Sequence, residues 1–124
     1  MRAALVLFTA LTACNVVDPV DVTEFVNEGT LCTNANGDVV VDWQTCLSSS
    51  CDTLTDAECT ATLDGTDLAL ESYGRIESQG LECTDDCGFA VATCTLPTIA
   101  DPTQITVTHG TTTVTLSDLP DCSI

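Results

Sequence analysis

Basic side chains are nearly absent from this chain. It has no lysine, and its only arginines are Arg2 and Arg75, whereas aspartate and glutamate together number 19, for a formal net charge of −17 at pH 7. A surface of that sign repels phosphate backbones and anionic lipid headgroups. We therefore exclude nucleic acid as a partner, and we exclude membrane attachment through a basic patch.

Long hydrophobic segments are also absent. The longest apolar run, from Ala3 to Leu11 with one interruption, follows the positive charge of Arg2. As a helix it would cover about 14 Å, against roughly 30 Å for the hydrocarbon core of a bilayer, so it cannot span a membrane. A charged start followed by a short apolar run is instead the layout of a secretory signal. Ordinary cleavage after Ala13 fits poorly, because bulky Leu11 would occupy a position that requires a small residue.

The residues that close this segment indicate a different cleavage. Leu11-Thr12-Ala13-Cys14 resembles the lipobox of bacterial lipoproteins, in which a branched apolar residue, a small residue and Ala or Gly precede a cysteine. The resemblance implies that residues 1–13 are a signal peptide, that the Cys14 thiol carries a diacylglycerol, and that the new amino terminus is acylated, for example with palmitate. It covers the signal alone.

The same resemblance implies a location. A lipoprotein of this kind is held in the bacterial cell envelope, outside the cytoplasm, with the outer membrane favoured over the inner one. The lipid bilayer is then its first partner, through the acyl chains on Cys14. Residues 14–22 are expected to be the lipidated N-terminus and a short tether with Pro19 at its centre, and residues 23–124 a single domain.

Aromatic residues are few in that domain, and cysteines are many. About 110 residues can form one core, but with only one tryptophan, one tyrosine and two phenylalanines after Cys14 the core is thin. The nine cysteines are an odd number, which in a secreted protein leaves one thiol to be explained. Lipidation of Cys14 explains it, and the other eight then predict four disulfides of undetermined pairing. They are Cys32, Cys46, Cys51, Cys59, Cys83, Cys87, Cys94 and Cys122.

Three hairpins are predicted where turn residues separate segments in which apolar residues and threonines alternate. Their turns are Asp64-Gly65 within 58–70, Asn36-Gly37 within 31–43, and His109-Gly110 within 105–116. The second strand of the first hairpin is expected to continue to Ile76, with Gly74 marking a bulge.

Strands are also predicted at 23–27 and 89–95, and one short helix at 52–58. About seven short strands with frequent turns predict an all-β fold, a small disulfide-rich antiparallel β-sandwich, of which the immunoglobulin-like arrangement is one form. A parallel arrangement is not expected, because parallel strands are usually joined by a helical crossover.

Motifs for catalysis are lacking. His109 is the one side chain that ordinarily titrates near neutral pH, but it falls in a predicted turn and no nucleophile motif accompanies it. The close cysteine pairs Cys46/Cys51 and Cys83/Cys87 lack the second ligand pair or histidines that zinc requires. We expect no enzyme, no catalytic residue and no resident cofactor, and a hydrolase remains the enzymatic alternative.

Calcium is the one cation that the sequence leaves open. Residues 34–38 place oxygen ligands at alternate positions, as the start of an EF-hand loop does, but the glycine comes too early and the twelfth position is Thr45 rather than glutamate. Aspartates also favour turns for conformational reasons alone. The weak calcium candidates are Asp38, Asp64, Asp67 and Asp85.

These observations predict a non-catalytic binding or structural module, displayed on a lipid anchor, whose further partner is an envelope protein or a glycan. A calcium-dependent adhesion or binding domain is one alternative. A secreted inhibitor-like module is another, since such modules are equally rich in disulfides.

Overall fold

The computed structural model describes residues 20–80 and 82–122, which form eight strands and two single-turn 3₁₀ helices. The predicted signal, Cys14 and most of the tether lie outside these residues. The elements are β1 (Asp21–Val26), β2 (Thr30–Thr33), β3 (Val39–Leu47), β4 (Asp52–Asp64), β5 (Asp67–Ser78), β6 (Gly88–Cys94), η1 (Pro102–Gln104), β7 (Thr106–His109), β8 (Thr112–Thr115) and η2 (Leu116–Asp118). In this part of the chain no helix is long and apolar enough to cross a membrane.

Strand β5 is the centre of the larger sheet. β4 pairs with it antiparallel along its whole length, from Asp52 opposite Ser78 to Asp64 opposite Asp67. The other edge of β5 is shared, because β1 pairs with residues 73–78, β7 pairs with residues 67–70, and β8 adds to β7. The smaller sheet has the order β2-β3-β6 and is antiparallel.

Asn27 closes the gap between β1 and β7 on the edge of β5. Its backbone N–H donates to the Ser72 carbonyl at 2.9 Å, and its side-chain oxygen accepts from the Ser72 N–H at 2.8 Å. Asn27 has a φ of 52°, a left-handed conformation that asparagine tolerates better than most residues. One asparagine thus continues the hydrogen-bonding of a strand where no strand is present.

The hydrophobic core lies between the inward faces of the two sheets. Residues alternate along each strand, so that β5 buries Leu68, Leu70, Ser72 and Ile76 and exposes residues such as Ala69 and Glu71. The core residues from the other elements are Leu31, Val39, Val41, Trp43, Ala90, Ala92, Cys94, Ile105, Val107 and Leu116. The predicted all-β, two-layer architecture is confirmed, although one pair of strands, β5 and β7, runs parallel. The chain connects them through β6 in the other sheet, and no helical crossover is needed.

The three predicted hairpins are present. Their turns differ slightly from expectation: Gly65-Thr66 joins β4 to β5, and Gly110-Thr111 joins β7 to β8. The strands predicted at 23–27 and 89–95 are β1 and β6, and β1 begins two residues earlier, at Asp21. The last two residues of the predicted tether therefore belong to the sheet.

The short helix predicted at 52–58 is wrong, because these residues begin β4. Thr53 and Thr55 are β-branched and favour extended backbone. Every residue from Asp52 to Leu54 has a partner on β5, so sheet hydrogen bonds replace those of a helix too short to be stable alone.

Gly74 does not mark a bulge, which was the expectation. The register of β5 is continuous there, and the irregularity lies in β4 between Leu54 and Asp56. Gly74 instead leaves room for the ring of Trp43, since a Cβ at this position would lie 2.6 Å from Trp43 Cη2. Phe25, opposite Gly74 on β1, stacks on the same ring with centroids 5.6 Å apart. The glycine therefore allows the two sheets to approach at the largest core side chain.

We predict that Gly74→Ala lowers the free energy of unfolding by about 1–3 kcal/mol, because the added methyl group overlaps the Trp43 ring. Gly88→Ala is the matched control in another strand, where a Cβ would lie 3.5 Å from Leu47 and the expected change is within about 0.5 kcal/mol. Urea titration followed by Trp43 fluorescence measures both values. Equal stability of the two variants would contradict this account of the packing.

Candidate functional site

The eight predicted cysteines form four disulfides, which confirms that prediction and supplies the pairing. The bonds are Cys32–Cys122, Cys46–Cys87, Cys51–Cys83 and Cys59–Cys94. The close pairs Cys46/Cys51 and Cys83/Cys87 are not bonded within themselves. Instead, Cys46 and Cys51 of the first pair bond to Cys87 and Cys83 of the second pair, which gives two neighbouring disulfides. These sulfurs are therefore not available as zinc ligands.

Each disulfide fixes a different part of the fold. Cys59–Cys94 joins β4 of the larger sheet to β6 of the smaller one. Cys32–Cys122 holds the C-terminal segment against β2, beside the hydrogen bond from the Cys122 N–H to the Thr33 carbonyl. The remaining two bridges clamp the end of β3 and the loop that follows it to the loop that precedes β6. The two ends of the sandwich are thus shaped by different bonds.

His109 is a strand residue and not the turn residue that the sequence predicts. It ends β7, is 1% exposed, and its Nε2 lies 2.7 Å from the hydroxyl of Ser72, which is 4% exposed. Burial lowers the pKa of His109 below its ordinary 6.5, so the ring is neutral at pH 7. A hydrogen-bonded Ser and His are two parts of a nucleophilic site, but this pair faces the core, where a substrate has no access. Its effect is to satisfy two buried polar groups.

The four calcium candidates are distributed over both ends of the molecule. Asp64 and Asp67 are directly opposite each other beside the β4–β5 turn, and both are exposed. Asp38 precedes β3 and accepts from the Leu96 N–H at 3.1 Å, while Asp85 lies between Cys83 and Cys87 at the other end. Among residues 20–80 and 82–122, no three His, Cys, Asp or Glu side chains come together in a way that would hold a metal ion.

A cluster of hydroxyl groups lies at the end of the sandwich that carries Cys46–Cys87 and Cys51–Cys83, and it was not predicted from the sequence. Thr84 Oγ1 is 3.0 Å from Ser48 Oγ, 3.4 Å from Ser49 Oγ and 3.3 Å from Ser50 Oγ, and it also donates to the Asp86 carboxylate. Three adjacent serines between two cysteines were the only available signal. They meet Thr84 because Cys46–Cys87 and Cys51–Cys83 bring the two loops together.

The hydroxyl cluster lowers the pKa of Asp86. Hydrogen bonds from Ser49 and then from Thr84 favour the carboxylate and lower the pKa of Asp86 to about 2. The group is fully exposed, and its hydrogen bonds join the loop of Ser49 to the loop of Thr84. Asp86 therefore stays ionised at more acidic pH than an ordinary aspartate, whose pKa is 3.8.

The opposite end of the sandwich contains a cavity of about 430 Å³, which we call the distal cavity. Its walls come from the β2–β3 turn, from the segment between β6 and η1, and from η2 with the residues that follow. The lining residues are Thr33, Asn36, Gly37, Asp38, Leu96, Pro97, Ile99, Pro102, Leu116, Ser117, Leu119 and Asp121. The volume is within the range of small-molecule and side-chain binding pockets, roughly 300–1,000 Å³.

The distal cavity and the start of the domain lie at opposite ends of β5. Asp21, the first residue of β1, is opposite Ser78, the last residue of β5. The cavity is beside the first residue of β5, because Asp67 is the neighbour of Thr106 and η1 leads directly into β7. Twelve residues of strand separate the two ends by roughly 35 Å. None of the cavity's residues except Asp38 was a candidate from sequence.

We predict that acid destabilises the protein through His109. Because burial lowers its pKa, the unfolded chain binds a proton that the native state does not, and stability present above pH 6.5 is lost as the pH falls through the native pKa. At pH 5.5 the loss is at most about 1.4 kcal/mol, since that pH is one unit below the unfolded value. Urea titrations at pH 7 and at pH 5.5 measure this loss. His109→Gln keeps a hydrogen-bonding amide but does not titrate, and an equally steep dependence in that variant would contradict the assignment.

We also predict that calcium stabilises the protein only through ionic strength. The melting temperature in about 5 mM calcium chloride should equal that in sodium chloride of matched ionic strength, because screening relieves the repulsion among acidic groups. Far-ultraviolet circular dichroism follows the unfolding transition. A saturable excess with calcium that Asp64→Asn or Asp67→Asn abolishes would instead establish a specific site at the β4–β5 turn.

No family model, no curated protein and no solved structure matches this chain. Its own residues, their distances and their charges are therefore the basis on which a function is proposed.

Proposed function

We propose that the protein is a lipid-anchored, extracytoplasmic lipoprotein of the bacterial envelope, and that it acts as a non-catalytic binding module. The observation that carries this proposal is the complete pairing of the eight cysteines after Cys14. Four cross-links of this kind form and persist in an oxidising compartment. They use eight of nine cysteines, and the ninth is the one in a lipobox-like context.

The chemistry of the described residues supports a binding role over a catalytic one. The single histidine is neutral and faces the core, so it does not meet a substrate as a general base. The exposed hydroxyls of Ser49, Ser50 and Thr84 hydrogen-bond to one another and to a carboxylate, with no base beside them to activate a nucleophile. What the fold offers instead is a rigid frame with a preformed cavity at one end.

The position of that cavity supports display on an anchor. Between Cys14 and Asp21 the chain has seven steps, which reach at most about 25 Å when fully extended. An anchor at Cys14 would hold the Asp21 end of the sandwich near the bilayer. The distal cavity would then face away from the membrane, where a partner has access to it.

We predict that mass spectrometry of the mature protein finds Cys14 as the first residue, with a diacylglycerol on its sulfur and a fatty acid on its amine. Cys14→Ser should leave an unprocessed precursor or a chain that no longer partitions into the detergent phase of a Triton X-114 extraction. Val22→Ser, which changes an exposed strand residue, is the control and should partition normally.

Cleavage at another bond, or a mature Cys14 without lipid, would contradict the anchor. A secreted inhibitor-like module would give that result, since such a protein shares the disulfide density but not the acylation.

A further inference from the structure

We propose that the distal cavity binds a basic side chain of a partner protein, with the aliphatic part of that side chain on the apolar walls and its charge between Asp38 and Asp121. This deepens the proposed binding role, although the cavity exists whether or not Cys14 is acylated. The partner is identified by its chemistry, an exposed lysine or arginine side chain on its surface.

The walls of the cavity match the stem of such a side chain. Leu96, Ile99 and Leu119 are only partly buried by the fold and present apolar surface to the cavity, and Pro97 and Pro102 fix the backbone of the segment that carries them. Lysine and arginine both have aliphatic stems that pack on apolar surface while their charge stays at a polar rim. A rigid apolar wall with acidic groups at its edge meets both requirements.

Two carboxylates in the lining lie on segments that the fold holds in place. Asp38 Oδ1 accepts from the Leu96 N–H at 3.1 Å. Asp121 Oδ1 lies 3.4 Å from the Thr33 hydroxyl, which is equally close to the Pro120 carbonyl. The elements that carry them are adjacent, because Thr33 is opposite Val39 and forms a β-bridge with Asp121. A cation that enters this cavity meets an Asp38 carboxylate that is already oriented. It also meets Asp121, whose backbone is held by the Cys32–Cys122 disulfide and by the hydrogen bond from Cys122 to Thr33. The ordering cost that opposes a charge-assisted hydrogen bond is therefore reduced.

The charge of the whole molecule selects the same class of partner. With 19 acidic residues and two arginines, the chain attracts basic surfaces and speeds their encounter. The lack of basic side chains also excludes a second copy of this chain as the occupant of the distal cavity. The sequence has no lysine, and in the described residues the one arginine, Arg75, pairs with Glu77 on the larger sheet.

The test is a titration of the full, oxidised protein in a neutral detergent with the peptide acetyl-Ala-Ala-Leu-Lys-Leu-Ala-Ala-amide, followed by ¹⁵N–¹H correlation spectra. We expect saturable shifts of the Leu96, Ile99 and Leu119 amides. A peptide with norleucine in place of lysine keeps the stem but not the charge, and it should bind about tenfold or more weakly, as the loss of one charge-assisted hydrogen bond requires.

Protein variants separate the cavity from the general acidity of the surface. Asp38→Asn and Asp121→Asn keep an oxygen that accepts from Leu96 and Thr33, so the fold is retained while one charge is removed. Each should weaken the lysine peptide about tenfold. Asp85→Asn removes the same charge at the other end of the sandwich and should leave the affinity unchanged.

Three results would overturn the proposal. If the norleucine peptide bound as tightly as the lysine peptide, the pocket would recognise only apolar groups. If Asp85→Asn weakened the lysine peptide as much as Asp38→Asn does, the attraction would come from the acidic surface as a whole. Nuclear Overhauser contacts from Ile124 to Leu96 would show that the chain's own end fills the cavity. The titration does not depend on the anchor. An unlipidated Cys14 together with tight binding of the lysine peptide would therefore contradict the lipoprotein proposal and support the binding site.

Discussion

This structure depends on its four disulfides, because they close a chain whose acidic groups repel one another. After the predicted cleavage, one arginine opposes 19 acidic residues, and the described residues contain one salt bridge, Arg75–Glu77. Electrostatics therefore favours expansion. The four disulfides close loops with separations of 32 to 90 residues, and each contributes about 4 kcal/mol in the chain-entropy treatment. That contribution acts on the unfolded chain and does not depend on charge.

The same bonds create the surface features of the molecule. Cys46–Cys87 and Cys51–Cys83 bring the serine loop against Thr84 and Asp86, and the hydroxyl cluster follows from that contact. Cys32–Cys122 holds the C-terminal segment beside β2 and so places Leu119 and Asp121 in the wall of the distal cavity. Reducing these bridges would remove both features together with the stability. Stability and the candidate binding surface are thus properties of one set of cross-links.

The hydrophobic core between the disulfide-linked sheets is closely packed around Trp43. Trp43 is its largest side chain, and it fits only because Gly74 lacks a Cβ and because Phe25 stacks on the same ring. The core also contains the His109–Ser72 pair, whose hydrogen bond offsets the cost of burying two polar groups. Burial lowers the pKa of His109, so this pair is stable with a neutral imidazole and is destabilised when the ring is protonated.

The sequence by itself determined the local features, which are the three hairpins, the alternation of buried and exposed residues and the all-β class. It also determined that all eight cysteines after Cys14 are in disulfides. Turn chemistry at Gly65, Gly37 and Gly110 and a two-residue period act over short distances, so they can be read from neighbouring residues. Tertiary structure alone decided which cysteines bond, that Asp52–Glu58 is strand, that β5 and β7 are parallel, that His109 is buried, and that Asp38 and Asp121 line one cavity. Most of these features join residues that are distant in the chain. In the others, a partner strand decides the conformation of a segment. Contacts of both kinds depend on how the two sheets pack together.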